Sequence, residues 1–257
     1  DWRLLEVREY SPPQGPVDGR YAALLEKVGS GGSRFDGAQC QSCDLLGSPA
    51  EKRAGLKRSS VDAAFAASGI ALPSYDLVAP STPWGSRTKA KLAVGGTLEH
   101  PSLGFPKPDL SVQDIADCPL HSSVLQALAL GLKDFIRQQR LVPYDAVHRR
   151  GELKYLILQC NRAQDQVMLR FVLRSKEAQG RIQQILPKLL LAFPAIKVVS
   201  INYQPAPAAI VEGEQEEVLT PDAFIKESLN GLAFCMGPQS FAQVTPATPL
   251  PTTTTGG

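Results

Sequence analysis

The fold of this chain is decided by two stretches, Glu152-Leu-Lys-Tyr-Leu-Ile-Leu-Gln-Cys160 and Val167-Met-Leu-Arg-Phe-Val-Leu-Arg-Ser175. Both are rich in the aliphatic and aromatic residues that strands favour. The polar segment Asn161-Arg-Ala-Gln-Asp165 separates them. Two such runs joined by a short polar connection predict a β-hairpin. Alternate residues of a strand share one face, so the second stretch is predicted to turn three apolar side chains into the core: Leu169, Phe171 and Leu173.

Helices and further strands are predicted on both sides of this hairpin. Predicted helices cover residues 50–68, 120–139 and 176–191, and a shorter candidate lies near 21–28. The second of these carries apolar residues at helical spacing: Leu125, Leu128, Leu132 and Phe135. Predicted strands cover residues 86–95, 196–203, 208–212, 215–219, 231–236 and 239–244, with a hairpin turn at Glu212-Gly213-Glu214. Because strands and helices do not alternate regularly, an α+β fold with a mixed or antiparallel sheet is favoured over a doubly wound parallel sheet.

Four regions are predicted along the chain. Residues 1–34 form a poorly patterned extension, residues 35–120 a cysteine-containing region with a basic strand, and residues 121–245 a central α+β domain. Residues 246–257 are a Pro/Thr/Gly tail, a composition that cannot build a core and predicts disorder. The chain begins Asp1-Trp2-Arg3, without an initiator Met or an apolar signal segment, which indicates a fragment or a processed chain.

Composition excludes several classes of protein. The net charge is only +2, so any nucleic-acid binding must come from local patches. No apolar run approaches the length that crosses a bilayer, so no membrane partner is predicted. The five cysteines are odd in number and sparse, which indicates a reducing compartment, either the cytoplasm or an organelle matrix. The chain also lacks the G-x-G-x-x-G, G-x-S-x-G and H-E-x-x-H motifs of nucleotide-cofactor and hydrolytic sites.

A row of cations is predicted on the strand at residues 86–95. Arg87, Lys89 and Lys91 alternate with smaller or apolar residues, so all three cations would share one face of the strand. Such a row suits the phosphate backbone of a nucleic acid. The alternative is an ordinary solvated sheet face.

A second cationic set lies on the predicted hairpin. Arg170 and Arg174 belong to its second strand, and Arg149, Arg150 and Lys154 lead into its first strand. The guanidinium group binds phosphate through two parallel hydrogen bonds, so the two strand arginines are predicted RNA or DNA contacts.

Three cysteines are candidates for a metal site. Cys40-Gln-Ser-Cys43 places two thiolates close enough for one metal centre, and Cys118 would join this segment to the body of the fold. Cys118-Pro-Leu-His121 has a spacing that also permits a Cys3His zinc site. Cys160 and Cys235 lie in apolar strand patterns, where a buried thiol is the default.

Taken in order, several short motifs resemble the bacterial 23S rRNA uracil-5-methyltransferases, in the branch without an N-terminal β-barrel RNA module. The resemblance covers residues 35–243. Its motifs are Asp36-Gly-Ala-Gln-Cys-Gln-Ser-Cys43, Arg87-Thr-Lys-Ala-Lys91, Asp117-Cys-Pro-Leu120, Arg150-Gly-Glu-Leu-Lys-Tyr155, Leu169-Arg-Phe-Val-Leu-Arg-Ser175, Asn202-Tyr-Gln-Pro205, Glu212-Gly213 and Pro238-Gln-Ser-Phe241.

The resemblance implies two cofactors. One is an iron–sulfur cluster of the 4Fe–4S type held by four cysteines, of which Cys40, Cys43 and Cys118 match three; the first ligand position falls on Gly32. The other is S-adenosylmethionine, and Gln243 matches a cofactor-contacting glutamine of the family. With the iron–sulfur cluster favoured over zinc, His121 is predicted not to be a ligand.

The resemblance also implies a function. The chain is predicted to be the cluster-bearing, RNA-positioning part of a 23S rRNA uracil-5-methyltransferase, with Arg87, Lys89, Lys91, Arg170 and Arg174 holding an rRNA loop. The Rossmann-like domain with the nucleophile and base of the family would lie C-terminal to the matched region, so this chain alone would be inactive. The alternative is a non-catalytic RNA-binding module stapled by zinc or a cluster.

Overall fold

A computed structural model describes residues 2–10, 20–27, 48–71, 84–206, 210–229 and 231–241. Its helices are α1 (Ala50–Ser68), α2 (Ser123–Gln138) and α3 (Gln179–Ala192). Its strands are β1 (Trp2–Tyr10), β2 (Arg20–Lys27), β3 (Lys89–Gly96), β4 (Pro101–Pro106), β5 (Val112–Asp114), β6 (Leu153–Cys160), β7 (Val167–Leu173), β8 (Ile196–Tyr203), β9 (Gln215–Val218), β10 (Ile225–Leu229) and β11 (Leu232–Met236). Cys40, Cys43, Gln243 and the predicted tail at 246–257 lie outside the described residues.

The main sheet has seven strands, in the order β5-β4-β3-β6-β7-β8-β9. The predicted hairpin is confirmed as β6 and β7, which pair antiparallel with Leu158 opposite Leu169. β7 and β8 run parallel, and α3 makes the crossover that a parallel pair requires. The predicted α+β fold with a mixed sheet is therefore confirmed. This sheet includes strands from both sides of the boundary predicted between residues 120 and 121.

One face of the sheet carries the main hydrophobic core. The helix α2 buries the predicted apolar stripe of Leu125, Leu128, Leu132 and Phe135, and α3 buries Ile182, Ile185 and Leu189. The strands contribute alternate residues to the same cluster: Leu92, Leu156, Leu158, Leu169, Phe171, Val199 and Ile201. The period of 3.6 in the helices and of 2 in the strands explains which side chains meet in this core.

The opposite face of the sheet is largely polar. Following the pairing of β3, β6, β7 and β8, its central rows contain Lys89, Lys91, Gln159, Arg170, Ser200 and Asn202. A separate small cluster lies on this face, where Met168 and Val198 meet Ile225 and Met236 of the β10–β11 hairpin. The candidate interface is built on this polar face.

Three predicted elements are wrong. Residues 21–28 were expected to form a helix, but Arg20–Lys27 is β2, paired antiparallel with β1. No strand or hairpin turn occurs at 210–214; instead β8 pairs antiparallel with β9 across a longer loop. Residues 239–241 form no strand, and β11 pairs with β10, which the sequence reading missed. In each case the strand partner is remote or the run is short, so tertiary pairing overrides local propensity.

Candidate nucleic-acid interface

The predicted alternation on β3 and the residues just before it is confirmed. Thr88, Ala90 and Leu92 are buried, whereas Arg87 and Lys91 are exposed and Lys89 is half-buried. The main chain of Arg87 is held by its N–H, which donates to Leu120 O at 2.8 Å, and by its carbonyl, which accepts from Ser122 N at 2.9 Å. We call Arg87, Lys89 and Lys91 the basic strand.

The half-buried member of the basic strand has a shifted pKa. Burial lowers the pKa of Lys89; the carboxylate of Glu212 opposes this shift, and the positive charges of Lys91 and Arg170 add to it. An anion bound beside Lys89 would favour its charged form.

Glu212 links the basic strand to the interior of the sheet. Its carboxylate accepts from Lys91 Nζ at 2.5 Å through Oε1 and from Arg170 Nη1 through Oε2. Burial alone would raise the pKa of Glu212, but the hydrogen bond from Lys91 and the charges of Arg170 and Lys91 lower it overall. Glu212 is therefore held ionised between two cations.

The side chain of Arg170 is buried and is not exposed to a phosphate group at the surface. Its side chain is 3% exposed, and its Nε donates to Glu216 Oε1 at 2.7 Å in addition to the bond with Glu212. A guanidinium buried between two carboxylates cannot reach an RNA backbone without breaking both ion pairs. This burial disagrees with the predicted RNA contact of Arg170 and indicates a positioning role. Its Nη2 has no hydrogen-bond partner among the described residues.

The two carboxylates are fixed by β8. Ser200 Oγ donates to Glu216 Oε1 at 2.6 Å, and Asn202 Nδ2 donates to Glu216 Oε2 at 2.8 Å. Asn202 also clamps the main chain of Gly213, donating to its carbonyl at 3.0 Å and accepting from its N–H at 2.7 Å. Sequence reasoning missed this network of hydrogen bonds and ion pairs. The acidic run Glu212-Gly-Glu-Gln-Glu-Glu217 was the available signal, because carboxylates on a sheet face favour cations on the neighbouring strands.

Arg174 lies at the other end of β7 and is partly exposed. Its Nε and Nη2 both donate to Glu152 Oε1, at 2.9 and 2.7 Å. Glu152 is buried and also accepts from Ser175 N and Oγ through Oε2. Lys154, from the same predicted cationic set, is buried and donates to Gln204 O and Ala206 O. The predicted hairpin cations therefore do not form one exposed row.

The described part of the predicted metal site is the corner before α2. Cys118 and His121 are both buried, and His121 N donates to Cys118 O at 3.1 Å. Burial, with the positive charge of Arg87, lowers the pKa of His121 to about 4, and its Nδ1 has no hydrogen-bond partner among the described residues. No group of three or more His, Cys, Asp or Glu residues in the described ranges could hold a metal.

The two remaining cysteines differ from each other. Cys160 is buried as predicted, with its Sγ 3.4 Å from Ser122 Oγ, and burial raises the pKa of this thiol. Cys235 is exposed on β11, so its predicted burial is wrong, because this part of β11 faces away from the small cluster that contains Met236.

Curated relatives match most of this chain. The 23S rRNA (uracil(747)-C(5))-methyltransferase RlmC of Edwardsiella ictaluri is 38% identical over 214 residues, which is 83% of this chain and 56% of the relative. The enzymes of that name from Shewanella amazonensis and Haemophilus influenzae are 41% and 40% identical, over 82% and 81% of this chain and 55% and 54% of the relatives. Over this region the chain is similar in sequence to the 23S rRNA uracil-5-methyltransferases. The predicted resemblance is thereby confirmed.

This chain spans about half the length of the curated relatives it matches. No family model matches it. Among solved structures it resembles the Pyrococcus abyssi tRNA (uracil-54, C5)-methyltransferase in complex with S-adenosyl-L-homocysteine, with a TM-score of 0.57 and 18% identity, over 76% of this chain and 45% of that one. At this identity the likeness shows a shared fold.

No helix in the described ranges combines the length and apolarity needed to cross a bilayer.

Proposed function

We propose that this chain is the RNA-positioning part of an S-adenosylmethionine-dependent 23S rRNA uracil-5-methyltransferase. The observation that carries the proposal is the basic strand, an ordered row of cations in a chain about 40% identical to enzymes named for 23S rRNA uracil methylation. The relatives favour this function over a non-catalytic RNA-binding module.

The basic strand suits a single-stranded RNA backbone. Successive cations on one face of a strand lie roughly 7 Å apart, since each residue advances the chain by about 3.3 Å. Cations in such a row contact phosphates without reading the bases, and they set the register of the RNA on the protein. Sequence-specific RNA recognition usually requires unpaired bases, so the expected ligand is an rRNA loop.

Glu212 affects how strongly the basic strand would bind RNA. In the free chain Glu212 pairs with Lys91, and an RNA phosphate would compete with it for that ammonium group. Arg170 keeps Glu212 in place and so acts on RNA binding indirectly.

The proposal includes two cofactors. Cys40, Cys43 and Cys118 would hold an iron–sulfur cluster, which would tie the segment near residue 40 to the buried corner at Cys118. S-adenosylmethionine would supply the methyl group, with Gln243 as one contact from this chain. The supports are the cysteine spacing, the burial of Cys118 and the relatives' names.

The basic strand is tested by the triple variant Arg87→Gln, Lys89→Gln and Lys91→Gln. Binding of a fluorescent 23S rRNA hairpin containing the uridine named in the relatives is measured by anisotropy across salt concentrations. Each lost contact to a single strand should remove about 0.7 from the slope of log K against log salt, so the variant's slope should be shallower by about 2. Affinity should fall accordingly.

The matched control replaces three exposed cations elsewhere, Lys107→Gln, Arg137→Gln and Lys188→Gln. It changes the net charge equally and should keep the wild-type slope within error. Equal losses in the two triple variants would mean that only bulk charge matters, and an unchanged slope in the basic-strand variant would remove these residues from the interface.

A further inference from the structure

An exposed tryptophan lies just before the basic strand. Trp84 is 43% exposed, although an indole ring removes a large apolar area from water when it is buried. It precedes Arg87, the first cation of the basic strand, by three residues, so the two Cα atoms lie at most about 11 Å apart. An aromatic ring is therefore present at one end of the row of cations.

The main chain that carries Trp84 is fixed to the corner before α2. Gly85 N donates to Pro119 O at 2.8 Å. Arg87 N donates to Leu120 O, also at 2.8 Å. Gly85 has a φ of 67°, in the left-handed region that glycine adopts without strain. Trp84 and Arg87 are therefore attached to the same corner, which lowers the ordering cost of binding a ligand that contacts both.

A cation from α1 lies over the indole of Trp84. The guanidinium carbon of Arg53 is 5.8 Å from the centroid of the ring, within the range of a cation–π interaction. Arg53 is half-buried, and its contact orients the indole and joins α1 to it. Lys52 and Lys57, on the same helix, are exposed. The surroundings of Trp84 therefore combine an aromatic surface with positive charge.

A role in the hydrophobic core does not account for Trp84. Among the described residues, Trp84 belongs to neither of the two clusters of buried apolar side chains. Docking of α1 needs only the part of the ring that Arg53 covers. The remaining indole surface is exposed beside the basic strand. Exposed aromatic rings next to a row of cations are the combination by which proteins hold single-stranded nucleic acid.

We infer that Trp84 stacks on an unpaired base of the RNA whose backbone contacts the basic strand. The inference rests on the proposed function. Loop bases can be splayed out and stacked on aromatic side chains, whereas the bases of a duplex are already stacked on one another. The indole would hold the base, the cations of the basic strand would hold the neighbouring phosphates, and Arg53 is a positioning residue for the ring.

The first test uses intrinsic fluorescence, since the chain contains two tryptophans, Trp2 and Trp84. In Trp2→Phe the indole of Trp84 is the sole tryptophan. Saturation with the 23S rRNA hairpin, followed independently by anisotropy, should quench its emission because a stacked base quenches an indole. A fully paired RNA duplex of the same length should not. Unchanged emission with bound hairpin, or equal quenching by the duplex, would overturn the inference.

A second measurement separates stacking from charge. In Trp84→Leu the affinity for the hairpin should fall about 5- to 100-fold, the loss expected for one base platform. The slope of log K against log salt should stay at the wild-type value, because no phosphate contact is removed. Trp84→Phe keeps an aromatic ring and should recover part of the affinity. A shallower slope in Trp84→Leu would show that Trp84 acts only by holding nearby cations, and the inference would be wrong.

The matched control is Phe105→Leu. Phe105 is 38% exposed and lies on the same face of β4 as the core residue Leu103, away from the polar face of the basic strand. This variant should bind the hairpin as the wild type does, and a loss equal to that of Trp84→Leu would contradict the inference. If the basic-strand variant weakens binding but Trp84→Leu matches the wild type, the inference is overturned and the proposed function stands. If the wild-type chain does not bind the hairpin, both are overturned.

Discussion

Arg170 is a cation whose surroundings its strand pattern does not reveal. Its position on β7 alternates with core residues, as expected of a surface cation. The sheet, however, places Glu212 and Glu216 over it, and the guanidinium is buried between them. A buried charge is tolerated only when it is paired and hydrogen-bonded, so these three residues behave as a unit.

Replacing Arg170 should destabilise the fold strongly. Arg170→Leu leaves Glu216 largely buried without its cation, and breaking a buried pair in this way costs about 3–5 kcal/mol. Urea unfolding followed by circular dichroism measures the change in the free energy of unfolding. Arg137→Leu is the control, because its pair with Asp134 is exposed on both sides and is worth at most about 1 kcal/mol. A loss for Arg170→Leu no larger than for this control would show that Arg170 is not structural.

Glu212 should give the chain an acid-sensitive stability. Its pKa in the folded chain lies below the ordinary value of 4.5, so folding favours the ionised carboxylate. The contribution is present above the unfolded-state pKa and is lost as the pH falls through the folded-state pKa. The free energy of unfolding should therefore fall more steeply in the wild type than in Glu212→Gln as the pH is lowered from 6 to 3.5.

This comparison isolates one carboxylate. Asp109 and Asp145 also have lowered pKa values, through hydrogen bonds from Ser111 and His148 respectively, but they titrate in both proteins. Parallel pH profiles for the wild type and Glu212→Gln would contradict the assigned ion pairs.

At the scale of elements, the connection between β8 and β9 positions the acidic half of the interface. β8 supplies Ser200 and Asn202 from its polar face, and the clamp between Asn202 and Gly213 sets where Glu212 lies. The opposite face of β8 packs Val199 and Ile201 into the main core. The same strand thus anchors the loop and joins it to the rigid part of the molecule.

Gly213 should not tolerate a side chain. A Cβ there would lie 1.9 Å from Tyr203 O, which is main chain and cannot move aside without shifting β8. Gly213→Ala should lower the free energy of unfolding by about 1–3 kcal/mol, the range found for overpacking. It should also weaken RNA binding, since Glu212 and Lys91 lose their alignment.

The control for Gly213→Ala lies on a helix. Gly180 in α3 has no atom within 4 Å of an added Cβ, and Ala is a better helix former than Gly. Gly180→Ala should leave stability unchanged or raise it by up to about 1 kcal/mol. Equal effects at the two positions would mean that the loop adapts.

At the scale of the whole molecule, the basic strand and the ion pairs around Arg170 share the polar face of one seven-stranded sheet. The rigidity of that sheet follows from its core, which α2 and α3 cover on one side. A sheet covered in this way is expected to hold the proposed RNA-contacting cations at a constant separation.

The proposed cluster should be visible in the purified chain. Anaerobic preparation should give broad absorption near 400 nm with matched iron and sulfide, as expected of iron–sulfur centres. Cys118→Ser should abolish the absorption, and Cys235→Ser should retain it because Cys235 is not one of the three proposed ligands. About one equivalent of zinc without iron would instead support the Cys3His site with His121. A folded, metal-free chain would contradict both metal sites.

The sequence by itself determined several secondary-structure elements of this protein and which of their faces are buried. The β6–β7 hairpin, the apolar stripe of α2 and the alternation of the basic strand all follow from periodicities of 2 and 3.6, which neighbouring residues carry themselves. The kinship with uracil-5-methyltransferases was likewise readable from short motifs in order.

Only the tertiary structure decided which side chains and which strands pair with one another. Glu212 and Glu216 reach Arg170 across more than 40 positions of sequence, and Arg181 meets Arg140 from a different helix end. The strand β2 forms because β1 is available to pair with it. Such contacts depend on how strands are ordered and on which faces are covered, and no local period encodes them. For this reason a row of cations could be predicted, while which of them would be buried, paired or free could not.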